Sequence, residues 1–272
     1  MTALLAAYKH ALRKLRLRIV PDWLVLDVGS GNNPHFRADV LCDRYLTDTE
    51  RQGALRIDRP MVRGDVQNLP FKDGAFDYVI CCHLLEHVQN PEMAVRELTR
   101  VASRGYVETP SEFGEKVGGA PFHRWFVRLE NGTLVFTEKT KHPFDDLVAG
   151  TLYRLTLARD RSYSSFYHSR FDLFVNCLEW EADLPVIVHR SEKPYVMPVG
   201  DSLPEKADFQ HFGLVKRLLR ATMGGRAHIP AWTELLQSTC CKASVRATQD
   251  GFECMKCGRQ FRNTNGIPSF IE

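Results

Sequence analysis

The chain has 272 residues and a formal net charge of +3, with 44% hydrophobic and 25% charged residues. These proportions are close to those of ordinary globular proteins, so they exclude a disordered, collagen-like or coiled-coil chain. No run of about 18 apolar residues occurs, so no transmembrane helix is predicted. The length predicts one large domain with a small addition.

The first 20 residues form a basic segment, with five lysine and arginine residues and no acid. The basic residues follow the apolar ones, which is the reverse of a secretory signal, so we expect a cytoplasmic protein. Apolar residues recur every three or four positions, which predicts an amphipathic helix over 1–20. This helix either packs on the domain with a solvated basic face or contacts anionic lipid or RNA at its periphery.

The next 90 residues alternate short apolar runs with loops and one helix. The helix is predicted over Pro91–Val101, because a proline opens it and apolar residues recur at helical spacing. Strands alternating with helical crossovers predict an α/β fold with an open parallel sheet. The predicted strands cover 23–28, 38–42, 61–64, 76–82 and 105–109.

After residue 110 the pattern changes. An Asn-Gly pair between two β-prone runs predicts a hairpin over 125–138. Two further β-prone runs over 171–190 suggest a second hairpin, and a helical stretch lies near 143–158. We divide the chain into segment 1–20, a main domain 21–190 whose residues 110–190 hold the cap and the last strands, a linker 191–233 with a short helix at 212–223, and a C-terminal unit 234–272.

A glycine-rich turn follows the first predicted strand. Gly29 and Gly31 allow close approach of a ligand at the carboxyl end of a parallel strand, where open α/β sheets bind ligands. The dinucleotide-binding fingerprint needs a third glycine where Pro34 stands, and the phosphate-binding loop needs a Gly-Lys-Ser/Thr that this turn lacks. The turn therefore argues against NAD, FAD and nucleoside triphosphates.

Two carboxylates follow the next strands. Asp43 ends the second predicted strand, where its oxygens can accept both hydroxyls of a ribose. Asp65 opens the loop 65–71, where it can accept a hydrogen bond from an adenine amino group, with Val66 or Leu69 against the ring. The alternative is that both acids are helix caps or loop carboxylates.

Residues 24–110 resemble class I S-adenosylmethionine-dependent methyltransferases of the type 11, or ubiquinone/menaquinone-methylase-like, group. The shared elements are Asp-x-Gly-x-Gly after strand one, an acid ending strand two, Asp-x-x-x-Leu-Pro-Phe from 65 and Leu-Glu-His-Val at 85–88. The resemblance implies a Rossmann-like sheet with helices on both faces and S-adenosylmethionine as cofactor. The cofactor-binding residues that it implies are Asp27, Gly29, Gly31, Asp43, Asp65, Val66 and His83.

Methyl transfer from a sulfonium needs mainly alignment and exclusion of water, and an oxygen or amine acceptor also needs a general base. His83, Glu108 and His123 are the favoured catalytic candidates, and Glu86 and His87 are further candidates. Residues 109–111 lack the Asn-Pro-Pro-Tyr signature of many adenine, cytosine and glutamine methylases. Residues 121–126 form either an acceptor wall, with its aromatic rings and an arginine, or an ordinary hairpin start.

Four of the eight cysteines cluster in the last 35 residues: Cys240, Cys241, Cys254 and Cys257. Clustered cysteines in a cytosolic protein favour a metal over disulfides. Residues 235–272 resemble the small zinc-ribbon activators of methyltransferases, which implies a structural zinc. The first two cysteines are adjacent instead of three apart, so a four-thiolate zinc, a partial site with water, and no metal are alternatives.

These observations predict an S-adenosylmethionine-dependent methyltransferase with a zinc-ribbon-like C-terminal domain. The expected acceptor is a small molecule, a lipid-linked intermediate or a sugar. One alternative is an RNA or protein methyltransferase that docks through the C-terminal unit and the basic helix, with the steep salt dependence of nucleic-acid binding. Another is a cofactor-binding scaffold that has lost catalysis.

Overall fold

The computed structural model of the protein describes residues 13–46, 54–141, 157, 160–195 and 231–271. Its central feature is a six-stranded sheet with the order β3-β2-β1-β4-β5-β8. The first five strands are parallel, and β8 is antiparallel at the edge. The predicted open parallel sheet is therefore confirmed. The strands up to residue 189 are β1 (Val25–Val28), β2 (Val40–Asp43), β3 (Met61–Arg63), β4 (Tyr78–Cys82), β5 (Arg104–Pro110), β6 (Trp125–Glu130), β7 (Thr133–Glu138), β8 (Val175–Glu181) and β9 (Val186–His189).

The central strands are buried on both faces. All four residues of β1 are buried, and their side chains alternate between two apolar clusters. Leu26 and Val28 belong to the large cluster that also contains Leu98 of the following helix. Val25 faces the opposite side, where it packs with Ile80. This arrangement explains the continuous apolar run in the sequence, since neither face of the strand meets water.

Helix α1 (Pro91–Val101) has the predicted bounds. The Asn90 side chain accepts a hydrogen bond from the backbone N–H of Met93 at 3.1 Å, and Pro91 occupies the first turn. Its apolar face packs on the sheet. The remaining helices are α2 (Glu112–Gly118), α3 (Arg161–Ser169) and α4 (Phe171–Phe174).

The hairpin at 125–138 is confirmed, and its Asn131-Gly132 turn has positive φ angles of 50° and 82°. The second suggested hairpin is wrong. β8 pairs with β5 in the central sheet, whereas β9 pairs in parallel with β7 to make a separate sheet of order β6-β7-β9. The chain changes sheets at Ala182, whose φ of 66° turns it away from β8. Local β-propensity does not distinguish these pairings, because both are long-range.

Most of the predicted N-terminal helix lies outside the described residues. Its described part is a 3-10 helix over Arg13–Arg16, and residues 17–20 are not helical, so the helix does not extend to residue 20 as predicted. Pro21 disfavours helical geometry at Val20, the residue before it, but does not account for the end at Arg16. The predicted helices near 143–158 and 212–223, and most of the linker, lie outside the described residues. Among the described residues no helix is long and apolar enough to cross a membrane.

A 3-10 helix (Trp232–Leu235) leads into the C-terminal unit, which contains a third sheet of four antiparallel strands. Three phenylalanines form its core: Phe270 lies with its ring centroid 4.7 Å from that of Phe261 and 5.8 Å from that of Phe252. The strands are β10 (Val245–Thr248), β11 (Gly251–Cys254), β12 (Gln260–Thr264) and β13 (Ile267–Pro268).

The C-terminal unit packs against the edge of the central sheet at β3. The backbone N–H of Phe270 donates to the carbonyl of Arg63 at 2.9 Å, beside a parallel bridge from Arg63 to Ser269. The N–H of Gln237 donates to the carbonyl of Pro70 at 3.0 Å. These bonds hold the loop 64–71, which carries the predicted adenine-binding residues, between the two sheets.

Candidate active site and cysteine cluster

The glycine turn after β1 has the geometry that its residues predict. Gly29 and Gly31 have φ angles of +73° and +52°, the left-handed region that favours glycine. A Cβ on Gly29 would lie 3.0 Å from the Leu84 side chain, which leaves no room for a larger residue. Between them, Ser30 is buried and its hydroxyl has no hydrogen-bond partner among the described residues. A buried hydroxyl without a partner is costly, so it fits a site completed by a ligand.

Two buried carboxylates fix this turn. Asp27 accepts a hydrogen bond from the backbone N–H of His35 at 2.7 Å. Asp43 accepts from the N–H of Gly31 through one oxygen and from the N–H of Tyr45 through the other, both at 3.0 Å. Burial raises the pKa of Asp27 to about 6.

Both carboxylate oxygens of Asp65 interact with neighbouring residues. Its Oδ1 accepts from the backbone N–H of Gln67 at 2.8 Å, and its Oδ2 pairs with the Arg44 guanidinium at 2.6 Å. The Arg44 side chain is half exposed, so the ion pair is accessible to solvent. A ligand at Asp65 would share the carboxylate with Arg44 or displace it.

A pocket opens at the carboxyl ends of β1, β2 and β3. Four of the predicted cofactor residues line it, whereas Asp27, Gly31 and His83 do not. The lining includes Gly29, Asp43, Asp65, Val66, Leu84 and His87. The unpartnered hydroxyl, the tight glycine turn and the two carboxylates fit the carboxylate, ribose and adenine of S-adenosylmethionine.

Two of the predicted catalytic residues contact each other. His83 Nε2 lies 3.0 Å from Glu108 Oε1, at the carboxyl ends of β4 and β5. Glu108 is fully buried, and it also accepts from the Tyr106 hydroxyl at 2.7 Å. Burial opposes the charged form of His83, but the hydrogen bond to Glu108 and the Glu86 carboxylate 3.5 Å away outweigh it and raise the pKa of His83 to about 9. His83 is therefore protonated at neutral pH in the free protein, which makes it a proton donor instead of a base.

The third catalytic candidate, His123, belongs to a different cluster. Its Nδ1 lies 2.7 Å from Glu115 Oε2, and Glu115 also pairs with the buried Lys139. Burial would raise the pKa of Glu115, but His123 and Lys139 lower it to about 2. The His123 ring meets the His87 ring edge-on at 4.6 Å. Sequence reasoning missed Glu115 and Lys139, because neither belongs to a motif or lies near the others along the chain.

The four C-terminal cysteines are brought together. Their sulfur atoms lie within 4.8 Å of one another, and Cys240 Sγ lies 3.5 Å from Cys257 Sγ. Lys242, directly after the adjacent pair, has a φ of 50°, a turn that accompanies the tight arrangement of Cys240 and Cys241. Tetrahedral zinc with Zn–S bonds of about 2.3 Å separates its sulfurs by about 3.8 Å, so the four thiols fit such a site.

A known protein-family model matches the part of the chain that forms this pocket. Residues 26–107 match the family model for a methyltransferase domain. The matched residues run from β1 into β5 and include the glycine turn and both pocket carboxylates. Together with the sheet order, the match gives the chain the Rossmann-like fold of class I methyltransferases.

Curated relatives also carry methyltransferase names. Norajmaline N-methyltransferase from Rauvolfia serpentina is 52% identical over 42 residues, which are 15% of this chain and 14% of that protein. Demethylmenaquinone methyltransferase from Streptomyces griseus is 30% identical over 102 residues, which are 35% of this chain and 44% of that protein. The matches thus span less than half the length of these relatives.

Among solved structures, the chain is similar to a complex between a methyltransferase activator and a methyltransferase from Haloferax volcanii. The identity is 15%, with 65% of this chain and 89% of that chain covered and a TM-score of 0.38.

Proposed function

We propose that this protein is an S-adenosylmethionine-dependent methyltransferase that acts on a small-molecule, lipid-linked or sugar acceptor. The observation that carries the proposal is the pocket beside β1, which is lined by Gly29, Asp43 and Asp65. The buried hydroxyl of Ser30, which has no partner among the described residues, lies next to Gly29 in the same turn. The methyltransferase-domain match over residues 26–107 supports it.

The position of each residue around the glycine turn and the pocket suggests which part of the cofactor it would contact. Gly29 and Gly31 would leave room for the methionine portion, whose carboxylate would accept a hydrogen bond from Ser30. Asp43 would accept the ribose hydroxyls, and Asp65 with Val66 would bind the adenine. When bound, S-adenosylmethionine supplies a methyl group already activated by a positive sulfur.

The acceptor side is formed by β4, β5 and the N-terminal segment. Lys14 Nζ lies 3.9 Å from Glu108 Oε1, so this segment approaches the His83–Glu108 pair. By covering this pair, the N-terminal segment would exclude water and strengthen the electrostatic interactions inside the site. His83, held by Glu108, would donate its proton to an oxygen or carboxylate of the acceptor and so orient it.

We further propose that the four C-terminal cysteines bind one structural zinc. The convergence of their sulfur atoms supports a four-thiolate site over the partial site and the metal-free alternative. A unit with so small a core needs a cross-link of this kind to remain folded.

Isothermal titration of the full chain with S-adenosylhomocysteine tests the cofactor site. We expect saturable binding of one molecule per chain. No binding to the folded protein would contradict the proposal and also the alternative of a cofactor-binding scaffold.

Incubation with methyl-labelled cofactor and fractionated cell extract tests the acceptor class. We expect label in small molecules, lipids or glycans that survive nuclease and protease treatment. Label that is lost on digestion with ribonuclease or protease would contradict this acceptor class.

A further inference from the structure

A second group of metal-ligating side chains lies beside the cofactor pocket: Glu86, His87 and His123. Each offers one ligand atom, and these atoms lie within 4.8 Å of one another. Glu86 and His87 follow β4, whereas His123 precedes β6, so the fold brings them together from distant positions. The group is separate from the four cysteines.

The Glu86 carboxylate is the observation that points to a ligand. The residue is 1% exposed, and neither carboxylate oxygen has a hydrogen-bond partner among the described residues. Nitrogens of His83 and His87 lie 3.5 and 3.9 Å from Oε1, which is too far for a good hydrogen bond. Protonated His83 forms an ion pair with Oε1, but no group in the described part of the chain donates a hydrogen bond to either oxygen, and a buried polar atom without a hydrogen bond is costly.

Both histidines are held in place for coordination. His123 Nδ1 is bonded to Glu115 Oε2 at 2.7 Å, which leaves Nε2 for a cation. Metal-binding histidines usually donate their other nitrogen to a carboxylate in this way. The His87 ring is stacked on Phe122 with an interplanar angle of 6° and a centroid distance of 5.3 Å.

We propose that Glu86, His87 and His123 bind one divalent transition-metal cation, whose open positions hold a hydroxyl oxygen of the acceptor. Two imidazoles and one carboxylate suit zinc, manganese, cobalt or iron(II), whereas magnesium and calcium prefer oxygen ligands alone. Bonds of about 2.0–2.2 Å require the ligand atoms to draw closer by about 1 Å, which side-chain rotations supply.

The position beside the pocket gives the cation its role, and this role rests on the proposed function. His87 lines the cofactor pocket together with Gly29 and Leu84. A hydroxyl held there loses its proton to solvent, and an oxygen lone pair forms the bond to the methyl carbon. The carbon–sulfur bond breaks with its electron pair on sulfur, which leaves S-adenosylhomocysteine. The site therefore selects hydroxyl-bearing acceptors.

Manganese binding tests the site in the full chain supplied with one equivalent of zinc, which the four thiolates bind in preference to the histidine site. Electron paramagnetic resonance detects free aqueous Mn²⁺, so the loss of this signal measures the amount bound. The four thiolates are filled with zinc and therefore do not compete for Mn²⁺, which is a harder cation. The variants are Glu86→Gln and His123→Gln, with His189→Gln as the matched control, since His189 is exposed and lies on β9.

We expect one Mn²⁺ per chain in the wild type and in the control, and affinity at least about tenfold weaker in both site variants. Unchanged affinity in both, or no Mn²⁺ binding by the wild type, would overturn the proposal. If the variants do not fold, pulsed electron paramagnetic resonance of Mn²⁺ bound to the wild type tests the site instead. Magnetic coupling between Mn²⁺ and histidine nitrogen supports the site, and the absence of this coupling overturns it.

S-adenosylhomocysteine titration of the same samples separates this inference from the proposed function. Binding of S-adenosylhomocysteine without Mn²⁺ overturns only the cation site. Binding of Mn²⁺ without S-adenosylhomocysteine supports the cation site and overturns the assignment of the cofactor pocket, and with it the acceptor role of the cation.

Discussion

Asp43 acts on two parts of the pocket at once, because one oxygen fixes the glycine turn and the other fixes the chain after β2. Asp43→Ala should therefore weaken S-adenosylhomocysteine binding by about 1–3 kcal/mol, the cost of leaving polar groups unpaired. Calorimetric titration measures this loss. Asp183→Ala, at an exposed loop acid, is the control and should bind like the wild type. Equal affinity in Asp43→Ala would mean that the ribose assignment is wrong.

Asp27 makes the stability of the protein depend on pH. Burial raises its pKa from 3.8 to about 6, so between these values the folded state holds a proton that the unfolded state has released. The free energy of unfolding should therefore fall as pH rises through this interval, by at most about 1.4 kcal/mol per pH unit. Asp27→Asn keeps an acceptor for His35 but cannot ionise, so its profile should be flatter there. Urea unfolding from pH 4 to pH 7 compares the two proteins, and parallel profiles would contradict the shift.

At the residue scale, the sequence predicts the positions of those residues that belong to a local motif. Gly29 lies in a left-handed turn and Asp43 ends β2, and both positions are visible along the chain; their roles in cofactor binding stay predictions. Glu115 and Lys139 were not predicted, since a buried ion pair between a helix and the end of a hairpin has no local pattern. The sequence predicts His83 and Glu108 as separate catalytic candidates, but it does not predict their hydrogen bond or the two carboxylates that raise the pKa of His83 to about 9.

At the scale of elements, the contact between β3 and the C-terminal unit matters most. Cys254→Ser should abolish zinc binding and unfold the strands β10 to β13, because the unit loses its cross-link. The loop 64–71 would then lose its hydrogen bonds to that unit, so S-adenosylhomocysteine affinity should fall without disappearing. Metal analysis and hydrogen exchange of the loop measure both effects. Cys177→Ser, remote from the cluster, is the control, and wild-type protein without zinc would contradict the structural-metal proposal.

The elements also show where local sequence is sufficient. Helix α1 has its own cap, its proline and its apolar stripe, and its bounds follow from them. The β6–β7 hairpin follows from its Asn-Gly turn. The separation of β8 and β9 into different sheets depends instead on pairing with β5 and β7, which a single β-prone segment does not encode.

At the scale of the whole molecule, both ends of the described chain border the candidate active site. Residues from 13 onward approach the His83–Glu108 pair, and residues 231–271 hold the loop behind Asp65. The order of elements in the sequence predicts the central sheet but not this arrangement, because docking of the two ends depends on surfaces that exist only after the sheet has formed.

This arrangement predicts that the cofactor pocket and the cysteine cluster are coupled. If zinc binding orders the loop 64–71 and so strengthens S-adenosylhomocysteine binding by some factor, S-adenosylhomocysteine must strengthen zinc binding by the same factor. Competition with a zinc chelator, with and without saturating S-adenosylhomocysteine, measures the second factor, and calorimetry of zinc-loaded and zinc-free protein measures the first. We expect both factors to exceed one and to agree. Zinc affinity unchanged by S-adenosylhomocysteine would mean that the C-terminal unit packs on β3 without influencing the pocket.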